Sequence, residues 1–228
     1  MNRLCLPLTH WRIVPDIVAH ALARIEASAR TALQERGAFH LVLAGGNTPR
    51  EMYRRLPELD TDWSRWHIWY GDERCLPVDD PERNSRMAGA AWLDASPIPR
   101  VQIHDIPAEL GAAAATHSYA TTINNQGAFD LVLLGLGEDG HTASLFPGHV
   151  DAETASEVVA IFNAPKPPSE RVSLSVNRLS RTHAVLFLIA GAAKRAAVQA
   201  WRCGEALPAA LICPDSRVEV LLTPEVLG

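Results

Sequence analysis

Short apolar runs alternate with helix-length segments along almost the whole chain, and this alternation restricts the fold more than any other feature. The runs that predict strands are Phe39–Ala44, Trp66–Tyr70, Val101–Ile106, Phe129–Leu134, Glu157–Phe162, Arg171–Val176, Ala184–Ile189 and Val218–Leu222. The run Phe129–Leu134 is almost continuously apolar, which is typical of a strand buried on both faces. Strands separated by helices imply right-handed crossovers and a mostly parallel sheet.

The segments between these runs carry helical signals. In Asp16–Arg36, apolar residues recur at helical spacing, and Gly37 stands where the helix should end. The other predicted helices are Glu51–Leu56, Asn84–Leu93, Ala108–Asn124 and Gly191–Arg202. The best hinge candidate, Ala164–Ser169, is too short to separate two domains. We therefore predict that residues 1–228 form a single three-layer α/β/α domain with a mostly parallel, Rossmann-like sheet.

Charge and cysteine usage narrow the function classes. The 21 basic and 26 acidic residues give a net charge of −5, which argues against a general nucleic-acid binder but allows one local basic pocket. The four cysteines contain no C-x-x-C pair, so we expect reduced thiols. The first seven residues lack the apolar core of a signal peptide, and no apolar stretch has the length of a membrane span. We expect a cytoplasmic protein, monomeric or weakly dimeric, without nucleic-acid or membrane partners.

Ligands of parallel α/β sheets bind beyond the carboxyl ends of the strands, so the loops at those ends are the candidate binding site. Gly45 and Gly46 follow a predicted strand and permit a sharp turn close to a ligand. The next helix directs its positive N-terminal end to the same point, which favours an anion, and Asn47 and Thr48 add side-chain hydrogen bonds. The alternative is a simple tight turn in which Thr48 caps the helix.

Three cations also stand at the ends of predicted strands. We expect a charged loop over Gly71–Pro81, in which Arg74 could bind a phosphate through its planar guanidinium while Asp72 and Glu73 hold hydroxyls or orient it. A solvated loop without a ligand is the alternative. Lys194 falls in the first turn of a helix, where its charge opposes the helix dipole unless a phosphate lies between them; a surface lysine is the alternative. Arg171 is a weaker candidate of the same kind.

The glycine-rich segment Gly135–Gly148 is the most informative. Its three glycines match G-x-G-x-x-G formally, but Pro147 leaves no room for the long helix of a dinucleotide fold. The segment instead presents His141, a natural general base for activating water, whose tautomer Asp139 or Glu138 could fix. A purely structural histidine is the alternative. Metal binding by Asp139, His141 and His149 would match no standard ligand spacing, and we expect neither metal nor cofactor.

In these motifs the chain resembles the 6-phosphogluconolactonase family, which is related to glucosamine-6-phosphate deaminases and isomerases. The matching segments are Leu43–Pro49, Gly71–Pro77 with Asn84 and Ser85, Gly135–Gly148 and Gly191–Lys194, in the order the family has them. The resemblance implies cofactor-free hydrolysis of 6-phosphoglucono-δ-lactone to 6-phosphogluconate in the oxidative pentose phosphate pathway.

The same resemblance implies roles for individual residues. His141 takes the place of the general base, Arg74 and Lys194 those of the phosphate-binding cations, and the turn Gly45–Thr48 lines the pocket. Asp72, Asn84, Glu138 and Asp139 are expected in the pocket without an assigned role, and Gly137 and Arg171 are expected to bind the substrate. Asn47 stands where the family commonly has serine, and Cys75 follows Arg74, which are small departures.

Two rival functions remain open from the sequence. An amino-sugar phosphate deaminase shares the Gly-Gly, Asp-Gly-His and Lys positions, but the segment Thr142–Pro147 lacks the acidic residue that the deaminase group usually has after the histidine. A sugar-phosphate sensor would keep the pocket and lose catalysis, yet His141 and both phosphate-binding cations are present.

Overall fold

The computed structural model describes residues 9–228, so Cys5 and the predicted absence of an N-terminal leader lie outside the described residues. Within this range the strands are β1 (Thr9–Ile13), β2 (Phe39–Leu43), β3 (Trp66–Tyr70), β4 (Asp72–Arg74), β5 (Ile103–His104), β6 (Leu131–Leu134), β7 (Val158–Ile161), β8 (Arg171–Leu174), β9 (Ala184–Ile189) and β10 (Arg217–Leu222). The α-helices there are α1 (Ile17–Glu35), α2 (Asn47–Arg55), α3 (Asn84–Ala91), α4 (Ala112–Ile123), α5 (Val176–Ser180) and α6 (Arg195–Arg202).

The main sheet of residues 9–228 is parallel throughout, with seven strands in the order β1-β10-β9-β6-β2-β3-β5. Its central strand β6 is buried at every position, as the continuous apolar run predicts. The first helix packs against β2, β9 and β10, and its buried residues recur at helical spacing. The α/β class and the mostly parallel sheet predicted from the alternation are therefore confirmed.

A second sheet corrects part of the prediction. Strands β4, β8 and β7 form a separate antiparallel sheet, whereas we expected a charged loop over Gly71–Pro81 and placed the strands of Glu157–Phe162 and Arg171–Val176 in the parallel sheet. The chain leaves the main sheet at Gly71, whose N–H still donates to Leu43 O while its carbonyl accepts from Leu174 N. Charged residues 72–74 become a strand because a partner distant in sequence, β8, pairs with them.

Smaller differences concern element ends. Helix α2 begins at Asn47, four residues before the predicted start, and β5 keeps only Ile103–His104 of its predicted run. Strand β1 and the short helix α5 carry no pattern strong enough to predict them. Among residues 9–228, no helix combines the length and the apolar character that crossing a bilayer requires.

Candidate active site

A cavity of about 260 Å³ opens where β2, β3 and β6 end and their loops begin. Nine residues singled out from the sequence line it together, namely Gly45, Gly46, Asp72, Arg74, Asn84, Gly137, His141, Arg171 and Lys194. Asn47 and Thr48 are not among its lining residues: they form the first turn of α2, where Asn47 is exposed. The structure thus gathers residues from loops at the carboxyl ends of parallel strands, as the topology predicts, together with residues of β4, α3 and β8.

The glycine turn brings backbone, not side chains, to this cavity. A Cβ on Gly45 would lie 2.8 Å from Asn84 Cγ, so only glycine fits against that side chain. Gly46 has φ +111°, a conformation that favours glycine, and precedes α2. No side chain caps α2, so the alternative role of Thr48 as a cap is wrong. The uncapped helix end leaves backbone N–H groups for an anion.

Glu73 organises the neighbouring loop from beneath. Its fully buried carboxylate accepts hydrogen bonds from the backbone N–H groups of Arg74 (2.8 Å), Asn84 (2.7 Å) and Ser85 (2.8 Å). Burial raises the pKa of Glu73, and these hydrogen bonds oppose that shift. Asn84 in turn donates through Nδ2 to Asp72 O at 2.9 Å and to Asp72 Oδ1 at 3.1 Å. Glu73 therefore fixes Arg74 and Asn84 at the cavity through their backbone.

His141 is held by Asp139 in the tautomer that a general base needs. Its Nδ1 lies 2.5 Å from Asp139 Oδ1, which also accepts from the His141 backbone N–H at 3.2 Å. Because an ionised carboxylate only accepts, Nδ1 carries the proton and Nε2 is left with a free lone pair. Neither Glu138 nor Asp139 is among the residues that line the cavity, and Asp139 is the orienting carboxylate because its Oδ1 contacts the ring nitrogen. Gly137 is required here, since a Cβ at that position would overlap the His141 ring.

Burial and the neighbouring charges together set the protonation of His141. Burial lowers the pKa of His141, the hydrogen bond and charge of Asp139 raise it, and the positive charge of Lys166 lowers it again. The net direction is downward, which keeps the imidazole neutral near pH 7. Partial burial raises the pKa of Asp139, but hydrogen bonds from His141 outweigh it and the net pKa falls below the usual value. The pair is thus a neutral imidazole beside a carboxylate.

The turn after His141 is pinned on both sides. Thr142 Oγ1 donates to Gly135 O at 2.9 Å, and the buried Ser144 Oγ donates to Asp72 Oδ2 at 2.6 Å. Between them Ala143 lines the cavity at φ +47°, in the left-handed region that alanine rarely adopts. These contacts join the histidine loop to β4, and nothing in the residue types alone indicates that pairing.

The cations of the cavity are not equivalent. Arg74 donates through Nη1 to Glu82 O. Arg171 donates from Nη2 to the carbonyls of Lys166 (3.1 Å) and Pro167 (2.9 Å) and from Nε to that of Pro168 (3.2 Å), so these two nitrogens hold a loop. Lys194 ends the 3₁₀ turn Ala192–Lys194 that leads into α6. Lys166 also lines the cavity, although the sequence marks its proline-rich segment only as a hinge candidate.

Four cations and the carboxylate of Asp72 around one small cavity favour a compact anionic ligand, such as a sugar phosphate. The surroundings of His149 do not support the alternative in which Asp139, His141 and His149 bind a metal. His149 is exposed and its Nδ1 contacts only Pro147 O at 3.2 Å. Within residues 9–228, no three His, Cys, Asp or Glu side chains group as metal ligands.

Comparison with known proteins shows which family the chain belongs to. The model of the glucosamine-6-phosphate isomerase/6-phosphogluconolactonase family matches residues 15–222. The chain belongs to this family. A 6-phosphogluconolactonase of Synechocystis sp. is 38% identical over 195 residues, covering 80% of this chain and 79% of that protein. One from Mycobacterium leprae is 38% identical over 199 residues, covering 81% of each chain.

The solved structures of the family agree with the fold described here. The crystal structure of 6-phosphogluconolactonase from Thermotoga maritima superposes with a TM-score of 0.88 at 28% identity, covering 94% of this chain and 99% of that one. The resemblance inferred from the glycine and histidine motifs is therefore confirmed at the level of the family and the fold.

Proposed function

We propose that this family member is a 6-phosphogluconolactonase, which hydrolyses 6-phospho-D-glucono-1,5-lactone to 6-phosphogluconate in the oxidative pentose phosphate pathway without a cofactor. One observation carries the proposal: a neutral imidazole, fixed by Asp139 with Nε2 unprotonated, lines a small cavity together with four cations. A base beside several positive charges in one cavity is what a phosphorylated lactone requires. The family membership and the curated lactonases at 38% identity support the same reaction.

In the proposed reaction, His141 acts as general base. Its Nε2 takes a proton from a water molecule while the water oxygen forms a bond to the lactone carbonyl carbon, and the carbonyl electron pair moves onto its oxygen. The resulting oxyanion collapses, the bond from that carbon to the ring oxygen breaks, and the imidazolium returns its proton to the leaving oxygen. The ring opens to the carboxylic acid, which then ionises.

The phosphate on the far end of the substrate provides the anchor. Arg74, Lys194 and the N-terminal end of α2 with its glycine turn are proposed to hold it, because they supply positive charge and backbone N–H groups to the cavity. Asp72, with its carboxylate fixed by Ser144 and Asn84, is proposed to accept from substrate hydroxyls. These contacts exist in both ground and transition states, so they should act mainly on KM.

The domain organisation, the cellular compartment and the oligomeric state belong to the same proposal. We take residues 1–228 as one lactonase domain that works in the cytoplasm as a monomer or weak homodimer on a small-molecule substrate. The described cysteines, Cys75, Cys203 and Cys213, are free thiols, in keeping with a reducing compartment. Sedimentation of the purified protein across a hundredfold concentration range would decide its oligomeric state.

The decisive experiment is a lactonase assay on purified protein. The δ-lactone is generated in situ from glucose 6-phosphate, and 6-phosphogluconate is followed with a coupled dehydrogenase at mildly acidic pH, where spontaneous hydrolysis is slow. We expect clear acceleration by the wild type and a loss of roughly 10²- to 10⁴-fold in kcat for His141→Ala, the usual worth of general-base catalysis. His117→Ala, an exposed histidine on α4, is the matched control and should keep full activity.

Two results would contradict the proposal. If the wild type does not exceed the uncatalysed rate, the lactonase function is wrong, and ammonia release from glucosamine 6-phosphate becomes the next assay. If His141→Ala loses less than threefold, the reaction does not use His141 as its base.

A further inference from the structure

Lys166 is a cation at the cavity that has no structural task of its own. It lies in the segment 162–170 that joins β7 to β8, and its side chain is exposed. Within residues 9–228 its ammonium group has no hydrogen-bond or ion-pair partner, although most arginines of the same range are paired. A free lysine at a cavity mouth is available to a ligand.

The loop that carries Lys166 is nevertheless fixed. Arg171, which is itself buried, donates to the backbone carbonyls of Lys166, Pro167 and Pro168 at 2.9–3.2 Å, and Ala164 N donates to Ser169 O at 2.9 Å. The Arg171 guanidinium also stands 5.6 Å from the centre of the Phe146 ring, which packs against His141. Arg171 therefore positions the Lys166 backbone relative to the wall of the cavity that carries the base.

The position of Lys166 differs from that of the other cations. Lys166 and His141 line the same cavity. The positive charge of Lys166 lowers the pKa of His141, while the carboxylates of Asp139 and Asp72 raise it. A group close to His141 is close to the water that His141 activates, and hence to the carbon that this water attacks. The phosphate is attached to the substrate carbon farthest from the lactone carbonyl, and the proposed function already assigns Arg74 and Lys194 to it.

We propose that Lys166 is a catalytic residue that stabilises the oxyanion formed at the lactone carbonyl. This inference rests on the proposed lactonase function. As the water oxygen bonds to the carbonyl carbon, the carbonyl electron pair moves onto its oxygen, and the Lys166 ammonium group donates a hydrogen bond to that negative charge. When the bond to the ring oxygen breaks, the electron pair returns to form the carboxyl carbonyl, and Lys166 keeps its proton throughout.

The test compares Lys166→Gln, Lys166→Arg and Lys194→Gln in the coupled lactonase assay, with kcat, KM and the pH profile of kcat/KM measured for each. One buried oxyanion donor contributes about 10²–10³ to kcat; since Lys166 is exposed, we expect Lys166→Gln to lose about 10- to 100-fold, with KM changed less than threefold. Lys166→Arg keeps the charge and should recover most of the loss. Lys194→Gln should instead raise KM.

The pH profile separates a catalytic role from a structural one. The charges acting on His141 are the carboxylates of Asp139 and Asp72 and the ammonium of Lys166, so Lys166→Gln removes the one group that lowers the pKa of the base by its charge. The acid limb of kcat/KM should therefore move to higher pH in Lys166→Gln and stay in place in Lys194→Gln. The exposed position of Lys166 leaves the melting temperature unchanged.

The proposal is overturned if kcat of Lys166→Gln stays within threefold of the wild type. It is also overturned if KM rises while kcat is unchanged, because Lys166 would then bind the phosphate. In both outcomes the wild-type protein still hydrolyses the lactone. If the proposed function is wrong, the wild-type protein itself does not exceed the uncatalysed rate.

Discussion

Replacement of Asp139 by asparagine tests how the site sets the state of its base. The substitution keeps the size of the side chain and an oxygen near His141 Nδ1, but removes the negative charge 2.5 Å from that nitrogen. In the ground state the imidazole is neutral, whereas after proton transfer it is an imidazolium beside a carboxylate. The charge of Asp139 therefore stabilises the transition state more than the ground state and should act on kcat.

The magnitude follows from the difference between two kinds of hydrogen bond. A bond to a charged group contributes about 1.5–3 kcal/mol and a neutral one about 0.5–1.5 kcal/mol, so the charge is worth roughly 1–2 kcal/mol here. The side chains of His141 and Asp139 are 19% and 36% exposed, which screens the interaction and excludes the larger effects of fully buried pairs. At about 1.36 kcal/mol per factor of ten, kcat of Asp139→Asn should fall by about 5- to 30-fold.

The coupled lactonase assay measures this directly. KM should change less than twofold, because Asp139 does not line the cavity. Since Asp139 raises the pKa of His141, its removal lowers that pKa, and the acid limb of kcat/KM should move to lower pH. Glu138→Gln removes the adjacent exposed carboxylate and should behave as wild type. An Asp139→Asn variant with kcat within twofold of wild type, or with its acid limb at higher pH, would refute this account of the base.

Two further predictions concern packing and pH. Gly137→Ala places a Cβ inside the space of the His141 ring and should reduce kcat at least tenfold. Gly127→Ala is the control, because a Cβ there has nothing within 4 Å, and it should keep full activity. Equal activities of the two variants would show that the loop accommodates the extra carbon. Burial, first of all, lowers the pKa values of His40 and His104 to about 4, so the unfolded chain binds protons near pH 6.5 that the folded chain refuses. The free energy of unfolding should fall from pH 6.5 to 4 by at most about 1.4 kcal/mol per pH unit for each histidine, and by less because both are partly exposed. The urea midpoint of the wild type should therefore fall with pH more steeply than that of the double variant His40→Gln, His104→Gln. Equal pH dependence of the two midpoints would contradict this.

The sequence predicts well what depends on local pattern. The strands Trp66–Tyr70 and Ala184–Ile189 have the bounds expected from their apolar runs, and His141 lies at the cavity because a glycine-rich loop follows a buried strand. Parallel topology alone then places the loops after β2, β3 and β6 at one edge of the sheet.

Contacts between distant segments are what the sequence does not predict. Residues 72–74 form a strand only because Arg171–Leu174 pairs with them across nearly 100 positions of chain, and three charged residues give no strand signal by themselves. Arg171 is predicted as a substrate cation from its position at a strand start, and nothing in the sequence indicates that its Nε and Nη2 also hold three carbonyls of the preceding loop. Lys166 reaches the cavity through that same contact, so its place becomes visible only when the loop is folded.

Each of the two sheets carries one of the proposed catalytic residues, and the three-residue strand β4 connects the sheets. His141 follows a strand of the parallel sheet, whereas Lys166 precedes β8 of the antiparallel one. Asp72, at the start of β4, accepts from Ser144 in the histidine loop, while β4 pairs with β8, whose first residue positions Lys166. The relative position of the base and the proposed oxyanion donor is thus set by one buried hydrogen bond, one strand pairing and the hydrogen bond from Arg171 to Lys166 O. Because these contacts are internal to the protein, the site can hold its geometry before substrate arrives, which is the condition under which fixed charges lower a reaction barrier.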